Sequence, residues 1–129
     1  MRILVADDHE TVRKGVCSIL QSRMDIESCA EASNGQDAIE KASELKPDLI
    51  ILDVSLPGLD GFAVARQIRT FLPEVPMLIL SMHDAPTVLG EARRVGAQGF
   101  VSKMEISNVL LEAVAAVLQG QTFFPDSNT

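Results

Sequence analysis

A chain of 129 residues is long enough for one domain with a proper core, and 47% hydrophobic against 22% charged residues is too apolar for disorder. Five Phe with no Trp or Tyr leave little surface for stacking bases or sugars, and a formal charge of −7 argues against nucleic-acid or anionic-lipid binding by this chain alone. The same acidity suits a site that gathers cations.

"RILVA" at 2–6 predicts a buried strand. The apolar run is far too short for a signal peptide, acids interrupt it, and no later stretch is long enough to cross a bilayer, so a cytoplasmic location without a membrane partner is expected. Residues 10–23 place Val12, Val16, Ile19 and Leu20 on one helix face. "IESCAEA" at 26–32 mixes polar and small residues and predicts a second strand. Cys17 and Cys29 match no zinc or redox spacing, and are expected as reduced thiols packed as small hydrophobes. Ser33 to Gln36 reads as a capping box opening a helix with Ala38, Ile39, Ala42 and Leu45 buried, which Pro47 stops. "DLIILD" at 48–53 predicts a third strand, and Pro57-Gly58 a turn. Asp60 is the expected N-cap of a helix burying Phe62, Ala65, Ile68 and Leu72.

"PMLILS" at 76–81 predicts the fourth strand. Asp84 is placed to cap a helix beginning Ala85-Pro86, with Val88, Ala92 and Val95 inward and Gly96 at its end. "GFVSK" at 99–103 predicts a fifth strand, and residues 106–119 a last helix through Val109, Leu110, Ala113, Val114, Val117 and Leu118. The tail "QTFFPDSNT" carries no period. Five strands alternating with five helices imply right-handed crossovers and a parallel sheet covered on both faces, a doubly wound (βα)5 α/β domain.

In such a sheet polar chemistry collects at the carboxyl ends of the strands. There the sequence supplies Asp7 and Asp8, Asp53, Ser81 and Lys103. Three carboxylates on one rim repel one another by roughly 4 kcal/mol per pair at about 4 Å. A hard divalent cation with oxygen ligands relieves this, and Mg2+ suits an open site with two or three acids. His9 is a loop residue beside the site rather than a ligand for such an ion. Metal, ammonium and hydroxyl around one acid are the equipment for moving a phosphoryl group onto a carboxylate.

These residues, with "DVSLPGLDGF" after the third strand, "LSMHD" after the fourth and "GFVSK" at the fifth, resemble the receiver domains of two-component response regulators over residues 2–120. Met104 after the lysine, "SMHD" and "VLQGQTFFP" look most like the LuxR/NarL (FixJ) subfamily. The resemblance implies a flavodoxin-like sheet of order 2-1-3-4-5. It implies that Asp53 accepts a phosphoryl group from a sensor histidine kinase. Mg2+ would be held by Asp8, Asp53, the Ser55 backbone carbonyl and, through water, Asp7. Ser81 and Phe100 would be switch residues, Lys103 would pair with the phosphoryl oxygens, and Ser55 and His83 would tune hydrolysis. Residues 1–120 would be the receiver, and 121–129 the start of a linker to a helix-turn-helix domain absent from this chain. DNA would be met only through that domain, with homodimerisation on phosphorylation as a further expectation.

Such a domain would be a phosphoacceptor switch rather than a multiple-turnover enzyme. One rival is a Mg2+-dependent phosphohydrolase with Asp53 as nucleophile. It lacks an acid two residues later, where Ser55 stands, and has no room for a cap domain. The other rival is a receiver serving only as a docking surface.

Overall fold

A computed structural model describes residues 1–55, 60–82 and 86–125. The alternating segments become β1 (Arg2–Ala6), α1 (Glu10–Leu20), β2 (Ser28–Ala32), α2 (Gly35–Leu45), β3 (Leu49–Asp53), α3 (Gly61–Arg69), β4 (Met77–Ser81), α4 (Pro86–Arg94), β5 (Gly99–Ser102), a 3-10 turn (Lys103–Glu105) and α5 (Ile106–Leu118). The strands are parallel in the order β2-β1-β3-β4-β5, as expected.

Strand alternation divides the core in two. Leu4, Ile50, Leu52, Met77, Ile79 and Phe100 face α2, α3 and α4, meeting Ala38, Ala42, Val64, Ile68, Leu89 and Ala92. Ile3, Val5, Leu49, Ile51, Leu78 and Val101 face α1 and α5, meeting Val16, Leu20, Leu110, Val114 and Val117. β3 and β4 are buried along their whole length, which only a sheet covered on both faces permits. β2 is partly exposed, as an edge strand of mixed composition must be.

Some local expectations shift. α1 ends at Leu20 because the backbone N–H groups of Ser22 and Arg23 turn back to Ile19 and Leu20, and the Ser22 hydroxyl donates to the Ile19 carbonyl at 2.6 Å. The cap of α2 is Asn34, not Ser33. Its side chain accepts from the Asp37 N–H at 2.8 Å, so Gln36 falls one position early for a capping box and reaches Glu40 instead. Asp60 caps α3 as expected, accepting from the Phe62 N–H at 2.9 Å. The Pro57-Gly58 turn, His83 and the Asp84 cap lie outside the described residues, while Pro86 is the first residue of α4. Lys103 leaves the strand and opens the 3-10 turn.

The expectation of two separate reduced thiols is corrected. Cys17 of α1 and Cys29 of β2 are joined as a disulfide, with Cα atoms 5.9 Å apart. Packing one face of α1 over β2 brings together two cysteines that no sequence spacing pairs; both remain against the apolar cluster shared by α1 and α5.

Candidate functional site

The sheet order makes the site. β1 and β3 are neighbours with Ala6 level with Leu52, so Asp7, one residue beyond β1, comes beside Asp53 at the end of β3. β4 lies on the other side of β3, and its last residue, Ser81, is one position past the partner of Asp53. β5 follows β4 and delivers Lys103 directly after its end.

Asp7 and Asp53 are both fully buried, which is costly for two carboxylates. Each is secured in the same way. One oxygen of Asp53 accepts from the Ser55 N–H at 3.0 Å, and one of Asp7 from the His9 N–H at 2.8 Å, so both strands close in a turn made by their own terminal acid. Their other oxygens share Lys103, whose Nζ lies 2.8 Å from Asp53 Oδ2 and 3.0 Å from Asp7 Oδ2. Only the Asp53 contact has hydrogen-bond geometry. Asp7 Oδ2 is therefore buried next to a positive charge without accepting a hydrogen bond. Burial opposes the charge on Lys103, but the hydrogen bond to Asp53 and the pull of Asp7 outweigh it and hold its pKa above the ordinary lysine value.

Carboxylate oxygens of Asp7, Asp8 and Asp53 and a His9 ring nitrogen lie within 4.8 Å of one another. His9 Nδ1 is 3.4 Å from Asp7 and 3.3 Å from Asp8, and its ring is mostly exposed. Three carboxylates against one ammonium leave a formal charge of minus two, which a single divalent cation would balance. All-oxygen acids, an orphaned Asp7 oxygen and a more exposed Asp8 fit a hard cation such as Mg2+.

The structure brings Asp7, Asp8, Asp53 and Lys103 together and places Ser55 on the same loop as Asp53. Ser81 is buried at the end of the adjoining strand, and Phe100 is buried in β5. Two contributors escaped the sequence reading. Arg13 of α1 donates to the Asp7 carbonyl at 3.0 Å and to Glu31 Oε1 at 2.8 Å, tying the acid-bearing loop to β2. That hydrogen bond from Arg13, stronger than the opposing effect of burial, holds the Glu31 carboxyl below the usual range. Gly61 is the other: a Cβ there would lie 2.3 Å from Val54 Cα and 2.7 Å from the Asp53 carbonyl oxygen. Its place at the N-cap-plus-one position of α3 was readable, but the close approach is tertiary.

Beside Lys103 opens a cavity of about 340 Å3 lined by His9, Val12, Met82 and Met104, with both methionines well exposed. A larger hollow of about 430 Å3 lies at the other end of the sheet, under Lys46, Pro47 and Phe71, away from any of this chemistry. Among the described residues no helix is long and apolar enough to cross a membrane.

Comparison with known proteins agrees with this geometry. A family model for the response regulator receiver domain matches residues 3–115. The oxygen regulatory protein NreC of Staphylococcus haemolyticus (strain JCSC1435) is 40% identical over 124 residues, 95% of this chain and 57% of that protein. The transcriptional regulatory protein LnrK of Bacillus subtilis (strain 168) is 34% identical over 129 residues, 100% of this chain and 59% of that protein. The chain thus spans rather more than half the length of these relatives. Among solved structures, a LuxR-family two-component response regulator from Aurantimonas sp. SI85-9A1 superposes with a TM-score of 0.91 at 32% identity, covering 97% of this chain and 90% of that one. The signal receiver domain of a response regulator assigned as NarL from Mycobacterium tuberculosis gives 0.84 at 33% identity, covering 93% and 97%. The chain belongs to the response regulator receiver domains, in the NarL/LuxR subfamily.

Proposed function

We propose that this receiver is a phosphoacceptor switch in which Asp53 takes a phosphoryl group from a phosphohistidine of a sensor histidine kinase. The observation that carries the proposal is the burial of Asp53 between Lys103 at 2.8 Å and the acids Asp7 and Asp8. A merely structural carboxylate would not be given two like-charged neighbours. In the transfer, one Asp53 oxygen forms a bond to phosphorus as the phosphorus–nitrogen bond of the donor breaks. The electron pair leaves with the imidazole.

Asp8, Asp53, the Ser55 carbonyl and, through water, Asp7 would hold Mg2+. Bound there, the ion would supply neutralisation of the phosphoryl oxygens. Lys103 turns from pairing two carboxylates to pairing the transferred group, and its raised pKa keeps it protonated for that task. The Ser55 N–H fixes the acceptor carboxylate in orientation before the donor arrives. The apolar mouth formed by Val12, Met82 and Met104 offers a place for a side chain of the partner protein to dock.

Ser81 would then turn toward the phosphoryl oxygens, with Phe100 and α4 following, and Ser55 and His83 would set the rate of hydrolysis. Taking the switch from mostly one state to mostly the other requires about 5.5 kcal/mol of preference. Output would pass to a LuxR-type helix-turn-helix domain beyond these residues, in a cytoplasmic protein that dimerises when phosphorylated. DNA would be contacted only by that domain. As a self-modifying switch the chain would not turn over an external substrate.

The test is incubation with Mg2+ and acetyl phosphate followed by intact-mass measurement. Stoichiometric addition that is lost in Asp53→Asn supports the switch. Continuous phosphate release from phosphomonoesters would make the chain a phosphohydrolase, and absence of an adduct with any donor would leave only docking.

A further inference from the structure

After α5 the chain does not leave the domain. Gly120, at φ 83°, turns it back, and residues 121–125 run beside the free edge of β5. Phe123 forms a parallel bridge with Gly99: its N–H donates to the Gln98 carbonyl at 2.9 Å, and its carbonyl accepts from the Phe100 N–H at 2.8 Å. The next bond of such a ladder would come from the N–H of residue 125. That residue is Pro125, so the added strand stops after one bridge.

Extended backbone sends consecutive side chains to opposite faces, and the two phenylalanines use this. Phe123 packs against the cluster shared by α1 and α5, while Phe124 is buried in the cluster shared by α2, α3 and α4. The guanidinium of Arg93, in the last turn of α4, sits 4.2 Å above the centre of the Phe124 ring. Gly99 permits the approach, since a Cβ there would lie 3.2 Å from the Phe123 carbonyl oxygen and 2.5 Å from a Leu78 methyl. A cavity of about 250 Å3 remains between the tail, β5 and α5, lined by Phe100, Val109, Phe123 and Pro125.

We infer that residues 121–125 are a strap that reads the relative position of α4 and β5 and passes it to whatever follows Pro125. The strap has two anchors on separate elements: the backbone of Phe100 in β5, and Arg93 on α4. Both are engaged together in the described arrangement. A shift of α4 along the sheet therefore has to part Phe124 from Arg93 or Phe123 from the β5 edge. Spare volume between Phe123, Pro125 and Val109 gives the strap room to move without forcing the core open. This rests on the proposed switch only for what drives α4.

The experiment is amide hydrogen exchange of the whole chain, with and without acetyl phosphate and Mg2+, the adduct being counted by mass in the same samples. Phosphorylation should raise the exchange of the Phe123 and Phe100 amides about tenfold. Phe124→Leu, which keeps apolar bulk but loses the ring under Arg93, should raise it without phosphate and reduce the phosphate response. Phe123→Pro, which deletes both the donor to Gln98 and the ring packed on the α1 and α5 cluster, provides a second variant, read at the Phe100 amide. A full adduct with unchanged exchange at Phe123 and Phe100 would overturn the strap while leaving the switch standing. Failure to form any adduct would remove the switch, and with it the state the strap is inferred to report.

Discussion

Replacing Lys103 by Met should destabilise the domain by about 3–5 kcal/mol near neutral pH, the usual cost of removing one partner from a buried ion pair. The side chain is 5% exposed, and its ammonium stands between two fully buried carboxylates. Without it, oxygens of Asp7 and Asp53 within 4.8 Å face each other unscreened. At an effective dielectric near 20 that repulsion is at least about 3.5 kcal/mol, which agrees with the first figure. Urea unfolding at about pH 7 should show this loss. Millimolar Mg2+ should restore part of the stability at neutral pH by replacing the lost charge. A variant within about 1 kcal/mol of the parent at neutral pH would refute the electrostatic reading of the site.

Gly61→Ala sets a methyl against backbone atoms of Val54 and Asp53 that cannot yield; unfolding should show a loss of about 1–3 kcal/mol, and the rate of phosphoryl uptake from acetyl phosphate should drop. Asn34→Ala should cost about 1 kcal/mol by orphaning the Asp37 N–H, and Asn34→Ser should recover most of it. Glu31, held below its ordinary pKa of 4.5 by Arg13, contributes stability that is present above that value and lost as pH falls through the lowered one. Arg13→Gln should move the Glu31 titration upward in carboxyl NMR and weaken Mg2+ binding, because the Asp7 carbonyl loses its donor.

The fold was legible because its signals are local and repeated. Uninterrupted apolar runs such as Leu49 to Leu52 demand cover on both sides, and the helical spacing between them supplies it. The acids and the lysine were legible for the same reason, since each stands at or just past the end of a strand that hydrophobicity defines. What escaped depends on pairs distant in the chain. Nothing in the spacing of Cys17 and Cys29 states that α1 will lie with that face over β2. Arg13 carries no motif in its local sequence, and its bond to the Asp7 carbonyl exists only once β1, β2 and α1 are assembled. "TFF" has no period because a single bridge is too short to show one, so its packing on β5 could not be read. Ser33 lost to Asn34 by one residue, within the uncertainty of helix ends.

A five-stranded open sheet presents two unsatisfied margins, each a template on which another copy could grow by main-chain pairing. Here the two are closed by unlike means. On the outer side of β2 the Lys41 ammonium covers the Glu31 carbonyl, while Arg13 and Lys14 gather at the Glu31 carboxylate, an unwelcoming border for an incoming strand. On the outer side of β5 the molecule's own backbone is the added strand, and a proline ends it. Growth of one sheet onto another is thereby blocked at both margins by the chain itself.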